Sequence, residues 1–550
     1  MIKRFARFVI DQRVFILALN LVMFAFFAWK ALDIGFVMTP EIWFRPTDPA
    51  RVAYDQLHEY FGDDEFVIAV IEDKENGVFN NHALAAIERL TREMEEAPYI
   101  NKVQSLTEFE WIHGEENSLI VDGLLRDAID DNDFPLAQED IDHAKRVILG
   151  DPGKNIPGDE LAISLLTNPE GTSAAVIGRV ERVSDTFDHK VELSRHMFKV
   201  FDKEEATSGY YVYYAGSPFI DYAFFEYSLQ DNQRLMPALY GLIILVLFLV
   251  IRRWTGVVYP LLVVAVTTVA VVGMIVTIGS AIQTMTAMLP MLLIAVCIAD
   301  SIHIVVDYYE RLHEIGDRKE AAVVTIEDMF MPCFLTSLTT CIGFASITMS
   351  DMPPVNEYGT LAAFGVALAF LVSVTLLPAL LSYGKVPRDI ADPSKPHHLH
   401  PDEAGYRDRT LVTLQAMDRF VRARPKAILA CTFALLGVAI WGITMLKTET
   451  VAIEFFQGSS PIRQNTYAIE DQLGAVANLE VVLGSGEEDG VKDPDFMLKM
   501  RKIEDYLETI PEVSKTISVV DFVERLNKSL HAERPEFDRV PVQADFEPGG

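Results

Sequence analysis

Seven long runs of apolar residues interrupt a chain that is otherwise rich in charged residues. A helix needs about 20 consecutive apolar residues to cross the hydrocarbon core of a membrane. The runs that meet this requirement are Val14–Leu32, Leu235–Ile251, Gly256–Ile278, Met285–Val306, Phe330–Met349, Thr360–Leu381 and Ala427–Met445. The first run follows basic residues, as in a signal peptide, but it is too long for one and no small-residue cleavage site follows it. We therefore predict a membrane α-helical bundle with about seven spanning helices in this chain, the first of them a retained anchor.

Between the first and second runs, the pattern changes to short strands that alternate with helices. It predicts a strand at Phe66–Ile71, an amphipathic helix at Asn80–Glu96 and a second strand at Ile100–Leu106. A polar insertion at His113–Pro157 precedes a hairpin around Leu161–Leu166 and Ser173–Val180, a helix at Phe187–Glu205 and a strand at Tyr210–Ala215. This order is the split βαβ pattern of α+β ferredoxin-like domains. Gly216-Ser217-Pro218 then breaks the chain before the second run.

The apolar runs divide the chain into six segments. They are a basic cytoplasmic start with the first spanning helix (1–32), an external α+β domain (33–234), a five-helix transmembrane bundle (235–383), a cytoplasmic linker (384–426), the seventh spanning helix (427–446) and a partial second external domain (447–550).

The later segments repeat the first ones. Arg7-Phe8-Val9 before the first spanning helix matches Arg419-Phe420-Val421 before the seventh, and Ile87–Phe109 aligns with Met500–Phe522. We therefore predict an internal repeat whose second copy is incomplete, as in the amino-terminal portion of a longer protein; a natural protein of this length is the alternative. Parallel repeats of this kind are related by a pseudo-two-fold axis along the membrane normal.

Charge is segregated along the chain in the same way. Half of the residues are hydrophobic, yet the formal net charge is −32, and most acidic residues lie outside the apolar runs. This composition excludes a disordered acidic protein and a nucleic-acid binder. The amino terminus, Arg252-Arg253 and residues 385–426 are basic, which places them in the cytoplasm and the acidic domains on the other side. We expect a multi-pass protein of a bacterial inner membrane, with its large domains in the periplasm.

The cysteines and histidines do not indicate a disulfide framework or a metal centre. Cys297, Cys333, Cys341 and Cys431 all lie in apolar runs, and they show no zinc-binding spacing. The segment Pro396–His400 contains three histidines, but its Pro, Asp and Gly neighbours favour a flexible linker over a metal site. No GxxxxGK[ST] motif lies in a cytoplasmic loop, so ATP is not the direct driver. We predict no metal, no cofactor and no catalytic residue.

The fourth apolar run contains ionisable residues. Asp300 lies inside it, and His303 and Asp307 follow at i+3 and i+7 on the same helix face. Such residues normally face protein or a water-filled cavity, where a carboxyl can exchange a proton and a histidine can share it. The alternatives are a neutral acid in an interhelical hydrogen bond for Asp300, a packing histidine for His303 and an interfacial acid for Asp307. Pro290 is predicted to kink this helix and to act as a hinge; a proline that the bundle tolerates without a function is the alternative.

The first half of the fifth run carries a cluster of hydroxyl side chains, those of Thr336, Ser337, Thr339 and Thr340. Hydroxyls in a membrane bundle bond across helices or back to the i−4 carbonyl. Two interpretations follow: these residues are packing contacts between helices, or they line a path for protons or water.

These segments resemble the core of the resistance–nodulation–division (RND) superfamily, and most closely its MMPL-like, hydrophobe- and lipid-exporting branches, which overlap the sterol-sensing-domain group. The similarity lies in Asp300-Ser301-Ile302-His303 of helix four, Leu335–Thr340 of helix five, Leu377–Leu381 at the end of helix six and Gly216-Ser217-Pro218 before helix two. In that family the helix-four acid is part of an intramembrane proton relay, completed by helices of the second repeat. The resemblance assigns this role to Asp300. Many lipid-exporting members have Tyr directly after the acid, where this chain has Ser301.

The resemblance implies a secondary active transporter, not an enzyme, that uses the proton-motive force to move a hydrophobic or amphiphilic, lipid-like substrate. The proton is then the coupling ion, with Asp300, His303 and Asp307 as the relay and Ser301 and the helix-five hydroxyls beside it. The expected partners are the substrate, membrane lipids, and a homo-oligomer or a periplasmic protein. Two other classes stay open: a sterol- or lipid-sensing protein without transport activity, and a protein-translocation accessory.

Overall fold

The computed structural model describes residues 1–37, 40–62, 65–115, 118–132, 134–151, 158–159, 162–181, 187–386, 409–446, 451–474 and 479–541. The chain divides into two compact units. The helical unit comprises Met1–Arg51 and Phe225–Glu449, and the mixed unit comprises Val52–Phe224 and Thr450–Gly550. The predicted linker motif Pro396–His400 lies outside the described residues.

The elements are numbered in chain order. Those up to residue 215 are α1 (Ile2–Asp11), α2 (Arg13–Lys30), α3 (Pro49–Phe61), β1 (Phe66–Glu72), α4 (Asn81–Glu95), β2 (Ile100–Gln104), β3 (Glu110–Glu115), β4 (Ser118–Gly123), α5 (Arg126–Asn132), α6 (Gln138–Leu149), β5 (Ser173–Val180), α7 (Asp188–Ser208) and β6 (Tyr213–Ala215). Those that follow are α8 (Ser217–Ile251), α9 (Thr255–Thr277), α10 (Leu289–Ile315), α11 (Arg318–Ile347), α12 (Pro353–Leu381), α13 (Arg409–Ala423), α14 (Pro425–Ile443), α15 (Pro461–Leu473), α16 (Pro494–Leu507) and α17 (Val519–Leu530).

Seven helices among the described residues are long and apolar enough to cross a membrane. They are α2, α8, α9, α10, α11, α12 and α14. Each overlaps one predicted run, because uninterrupted apolar sequence of this length has few other stable environments. Helices α8 and α11 begin earlier than the runs, at Ser217 and Arg318, because their more polar first turns also favour a helix.

A tight turn joins α10 to α11. Gly316 ends α10 in the left-handed conformation, with φ of 74°, which glycine adopts without strain. The Asp317 carboxylate then accepts hydrogen bonds from the backbone N–H groups of Lys319 and Glu320, at 3.0 and 2.9 Å, and so caps α11. At its other end, α10 begins at Leu289 with Pro290 in the first turn. Proline disrupts no hydrogen bond of α10 at this position, so Pro290 lies at the start of the helix and not in its interior.

The main sheet of the mixed unit has four strands in the order β2-β5-β1-β6, and every neighbouring pair is antiparallel. Strand β1 lies in the interior of the sheet and buries both of its faces, consistent with its continuous run of apolar residues. Helix α4 connects β1 to β2, and α7 connects β5 to β6. The predicted strand–helix–strand order therefore matches the observed element order here.

One predicted hairpin forms only in part. Residues 162–167 form a turn with isolated bridges, not a strand beside β5, and Leu161 lies outside the described residues. Strand β2 pairs only with Ile177–Val180 of β5, and the start of β5 instead meets this turn through the antiparallel Thr167–Ala174 bridge and a hydrogen bond of 2.9 Å from the Ala175 N–H to the Leu166 carbonyl. The polar insertion instead contains a separate hairpin of β3 and β4, followed by α5 and α6.

A buried ion triad lies in the mixed unit. The Lys190 ammonium donates to Glu65 at 2.5 Å and to Asp221 at 2.7 Å, and its side chain is 3% exposed. Burial alone would lower the pKa of this ammonium, but the two carboxylates outweigh burial and raise it above its usual value. Lys190 therefore stays charged at neutral pH.

The two chain segments of the mixed unit meet where α17 crosses the β3–β4 hairpin. Arg525 of α17 donates to the carbonyl of Ile112 at 3.1 Å, and Glu533 accepts from the N–H of Gly114 at 3.0 Å. A Cβ on Gly114 would lie 1.8 Å from the carbonyl oxygen of Ser529. This close approach therefore requires glycine.

We expect Gly114→Ala to loosen α17 from the hairpin, because backbone atoms must move to relieve the clash. Overpacking of this kind costs about 1–3 kcal/mol, which thermal unfolding of the purified protein should report as a lower Tm. The matched control is Gly458→Ala, where an added Cβ meets no atom within 4 Å. Equal Tm values for the two variants would contradict the close approach of Gly114 to the Ser529 carbonyl.

Candidate intramembrane site

The buried acid Asp300 lies on α10 and bonds to the neighbouring helix α11. Its side chain is 6% exposed, and its Oδ2 accepts a hydrogen bond from Ser337 Oγ at 3.0 Å. The surrounding residues of α10 are apolar and buried, including Cys297, Ile298 and Ile304. A carboxyl in such surroundings has few polar partners, so its hydrogen bond from Ser337 is its main link between the two helices.

The three predicted relay residues differ in how deeply they are buried. Asp307 is buried, at 9% exposure, with Arg311 Nε 3.7 Å from its Oδ1. His303 is exposed. An α-helix turns about 100° per residue, so Asp307 points within about 20° of Asp300 and His303 about 60° away. The helix therefore brings the two acids onto its buried stripe and leaves the histidine at the edge.

The predicted hydroxyls of α11 also divide into two groups. Ser337 is buried and reaches across to Asp300. Thr336, Thr339 and Thr340 each donate to a carbonyl of their own helix, three or four residues back, which is the ordinary behaviour of threonine in a helix. Ser337 therefore joins α10 to α11 through a direct hydrogen bond.

Sequence patterns did not single out two further buried polar residues of the bundle. Thr325 of α11 lies next to Asp307, and the hydroxyl of Ser373, on α12, is buried without a partner among the described residues. Ser301, which was predicted, is buried in the same way. Isolated hydroxyls in apolar runs carry little signal, because serine and threonine are tolerated on any face of a membrane helix.

A cavity of about 210 Å³ lies at the end of the bundle where α10 begins. Its walls come mainly from α8, α9 and α10 and include Leu229, Val271, Ile275 and Leu293. The Thr268 hydroxyl on this lining is buried and has no partner among the described residues. Asp300 lies ten residues beyond Pro290, or about 15 Å along the helix. The cavity and the acid are therefore separate features of the same helix.

No group of three or more metal-ligating side chains is assembled in the part of the chain that the structure describes.

The MMPL family model matches residues 45–428 of this chain. The chain belongs to the MMPL family. The match contains Asp300, Ser337 and most of the cavity lining, together with α8 through α12. The family predicted from the sequence resemblance is therefore confirmed.

Among curated proteins, the chain is similar to the hopanoid transporter HpnN of Rhodopseudomonas palustris (strain TIE-1). The two are 28% identical over 221 residues, which is 40% of this chain and 22% of the relative. The matched region thus spans about a fifth of the relative's length. The name of this relative states a hopanoid cargo.

Proposed function

We propose that this MMPL protein is part of a secondary transporter that uses the proton-motive force to move a hydrophobic or amphiphilic, lipid-like substrate out of a bacterial inner membrane. The mixed unit then lies in the periplasm, as the basic cytoplasmic loops favour. Family membership and the hopanoid transporter relative support the lipid-like substrate. The observation that carries the proposal is the buried Asp300 and its bond to Ser337.

In this proposal Asp300 exchanges a proton during each cycle. The charged carboxylate favours the hydrogen bond from Ser337, whereas the neutral acid packs in apolar surroundings at lower cost. The two states therefore favour different arrangements of α10 against α11. Asp307 and Ser301 lie on the same helix and are proposed to pass protons between Asp300 and the cytoplasm, with His303 as an outer partner.

The energy available is sufficient to bias such a change. One elementary charge that crosses 100 mV supplies about 2.3 kcal/mol. A proton gradient adds about 1.4 kcal/mol per pH unit. Together these shift a two-state equilibrium by more than a hundredfold.

Element positions support the predicted repeat. The 3₁₀ helix Pro40–Trp43 and the helices α2, α3 and α4 begin 412 or 413 residues before Ala452–Phe455, α14, α15 and α16. The strand order β2-β5-β1-β6, with its two helical crossovers, supports the ferredoxin-like assignment of the first external domain. We infer that the mixed unit contains one such domain and elements of a second copy.

Transport by purified protein in proteoliposomes tests the proposal. A lipid-like fluorescent cargo should leave the vesicle membrane when a proton gradient is imposed, and an uncoupler should stop it. Cargo binding that an uncoupler leaves unchanged, without movement, would support a lipid sensor instead. Secretion defects with unchanged envelope lipids would support a translocation accessory.

We expect Val271→Trp to reduce cargo movement several-fold, because the larger side chain fills part of the cavity at the start of α10. Val271 lines the cavity and is 1% exposed. The matched control is Val258→Trp on the same helix, where the side chain is 45% exposed. Equal transport by the two variants would show that the cavity is not part of the cargo path.

A further inference from the structure

Two helices of the mixed unit occupy equivalent positions in the repeat. Helices α3 (Pro49–Phe61) and α15 (Pro461–Leu473) both have 13 residues and begin at a proline. Each is followed by a glycine with positive φ, 78° at Gly62 and 90° at Gly474. The same local signals therefore start and end both helices.

Helix α15 packs against the sheet of the first domain, with one face. Its buried residues are Ile462, Asn465, Thr466, Ile469 and Leu473. Ile469 and Leu473 form a cluster with Ile68, Val70 and Ala215 of the sheet, and Asn465 Oδ1 accepts from the Tyr211 hydroxyl at 3.1 Å. A helix from the second copy thus completes the core of the first.

The equivalent face of α3 is more apolar but is not buried. The residues 412 positions before the buried set of α15 are Ala50, Ala53, Tyr54, Leu57 and Phe61. Their spacing makes one continuous helical stripe. In the structure no residue of α3 is buried, and Phe61 is 60% exposed. A stripe with this pattern normally packs against another element.

The segment Leu479–Leu483 occupies the position in the second copy that β1 occupies in the first. It is apolar except for Glu480, but Leu479 is 81% exposed and Val482 53%, and the structure gives it no strand pairing. Strand β1 pairs with β5 and β6 and never with β2. In the second copy, the equivalents of β1 and β2 would therefore not pair directly with each other. They need an equivalent of β5 between them to form a sheet.

We propose that α3 docks on the sheet of the second external domain, whose first strand is Leu479–Leu483, as α15 docks on the sheet of the first. The two domains then exchange their covering helices, and each core is completed by its partner. The inference rests on the repeat within the proposed function and is independent of transport.

Cysteine cross-linking in native membranes tests this docking. The pairs are Leu57→Cys with Val481→Cys and Leu57→Cys with Val482→Cys, in a Cys431→Ser background, because Cys431 is the exposed native thiol of the described chain. Neighbouring strand residues point to opposite faces of a sheet. One pair should therefore cross-link at least tenfold more than the other, within a single chain.

Two references make the result decisive. Leu473→Cys with Ala215→Cys, which belong to one observed cluster, should cross-link in the same preparation. Glu59→Cys, on the opposite face of α3, should cross-link with neither strand position and should react faster than Leu57→Cys with a water-soluble maleimide.

Equal low yields for both Leu57 pairs, with Leu57→Cys as reactive as Glu59→Cys, would overturn the helix exchange. Products of twice the chain mass would instead identify a second copy as the occupant, and would overturn it too. If the protein transports lipid but the cross-link does not form, only the helix exchange is contradicted. If the cross-link forms but the protein does not transport lipid, only the proposed function is contradicted.

Discussion

Asp300→Asn should reduce proton-driven cargo movement at least tenfold while leaving the bundle folded. Asparagine has nearly the same shape as aspartate and can still accept the hydrogen bond from Ser337, but it cannot bind and release a proton. The measurement is lipid efflux from proteoliposomes under an imposed pH gradient, beside the Tm of the same preparation. Loss of efflux with an unchanged Tm would isolate proton exchange from folding.

The matched control for this variant is Glu314→Gln on the same helix. Glu314 is a solvated acid near the end of α10, with its side chain 47% exposed and paired with Arg311, so its neutralisation should leave efflux within about twofold of wild type. Asp300→Glu keeps the acid but moves it by one methylene, and we expect partial efflux. Full efflux by Asp300→Asn would rule out this acid as the coupling site.

Lys190→Met should lower the free energy of unfolding of the mixed unit by about 3–5 kcal/mol, because it leaves two carboxylates buried without their cation. For a unit of this size, that corresponds to a fall in Tm of roughly 10 °C. Thermal unfolding in detergent, followed by circular dichroism, provides the measurement. Since the pKa of Lys190 is raised, its stabilisation is complete at neutral pH and is lost only as the pH rises above the usual lysine value of 10.5.

Two further variants separate the triad from general effects of removing lysine. Lys203→Met lies on the same helix, where the ammonium pairs with Glu93 but is 67% exposed, and its Tm should stay close to that of wild type. Adding Glu65→Gln and Asp221→Asn to Lys190→Met should recover much of the loss, because no buried charge then remains. A triple variant no more stable than the single one would contradict this explanation.

The spanning helices could be predicted from sequence because burial in lipid imposes one strong requirement, about 20 apolar residues. Helix ends could be predicted less well. The run beginning at Phe330 did not reveal that α11 starts at Arg318, since the added turns are amphipathic. Pro290 shows the same limit, because the effect of a proline depends on whether the helix has already begun.

The candidate site was predicted in part. Asp300 and Ser337 are directly bonded, and both carry a sequence signal, a charge and a hydroxyl inside apolar runs. Their pairing requires the packing of α10 against α11, which sequence spacing alone does not give. The exposure of His303 likewise depends on which helices pack around α10. The sequence pattern of α10 alone does not specify those neighbours.

The Gly316-Asp317 turn has a geometric consequence for the pair of helices that it joins. Asp300 lies 16 residues from Gly316, or about 24 Å along a rigid rod. A splay of only about 7° at the turn moves that carboxyl by about 3 Å, which is enough to break its contact with Ser337. A small angular change at the rim of the membrane is thus magnified at its centre, so antibodies or ligands that clamp this corner should lock the acid in one state.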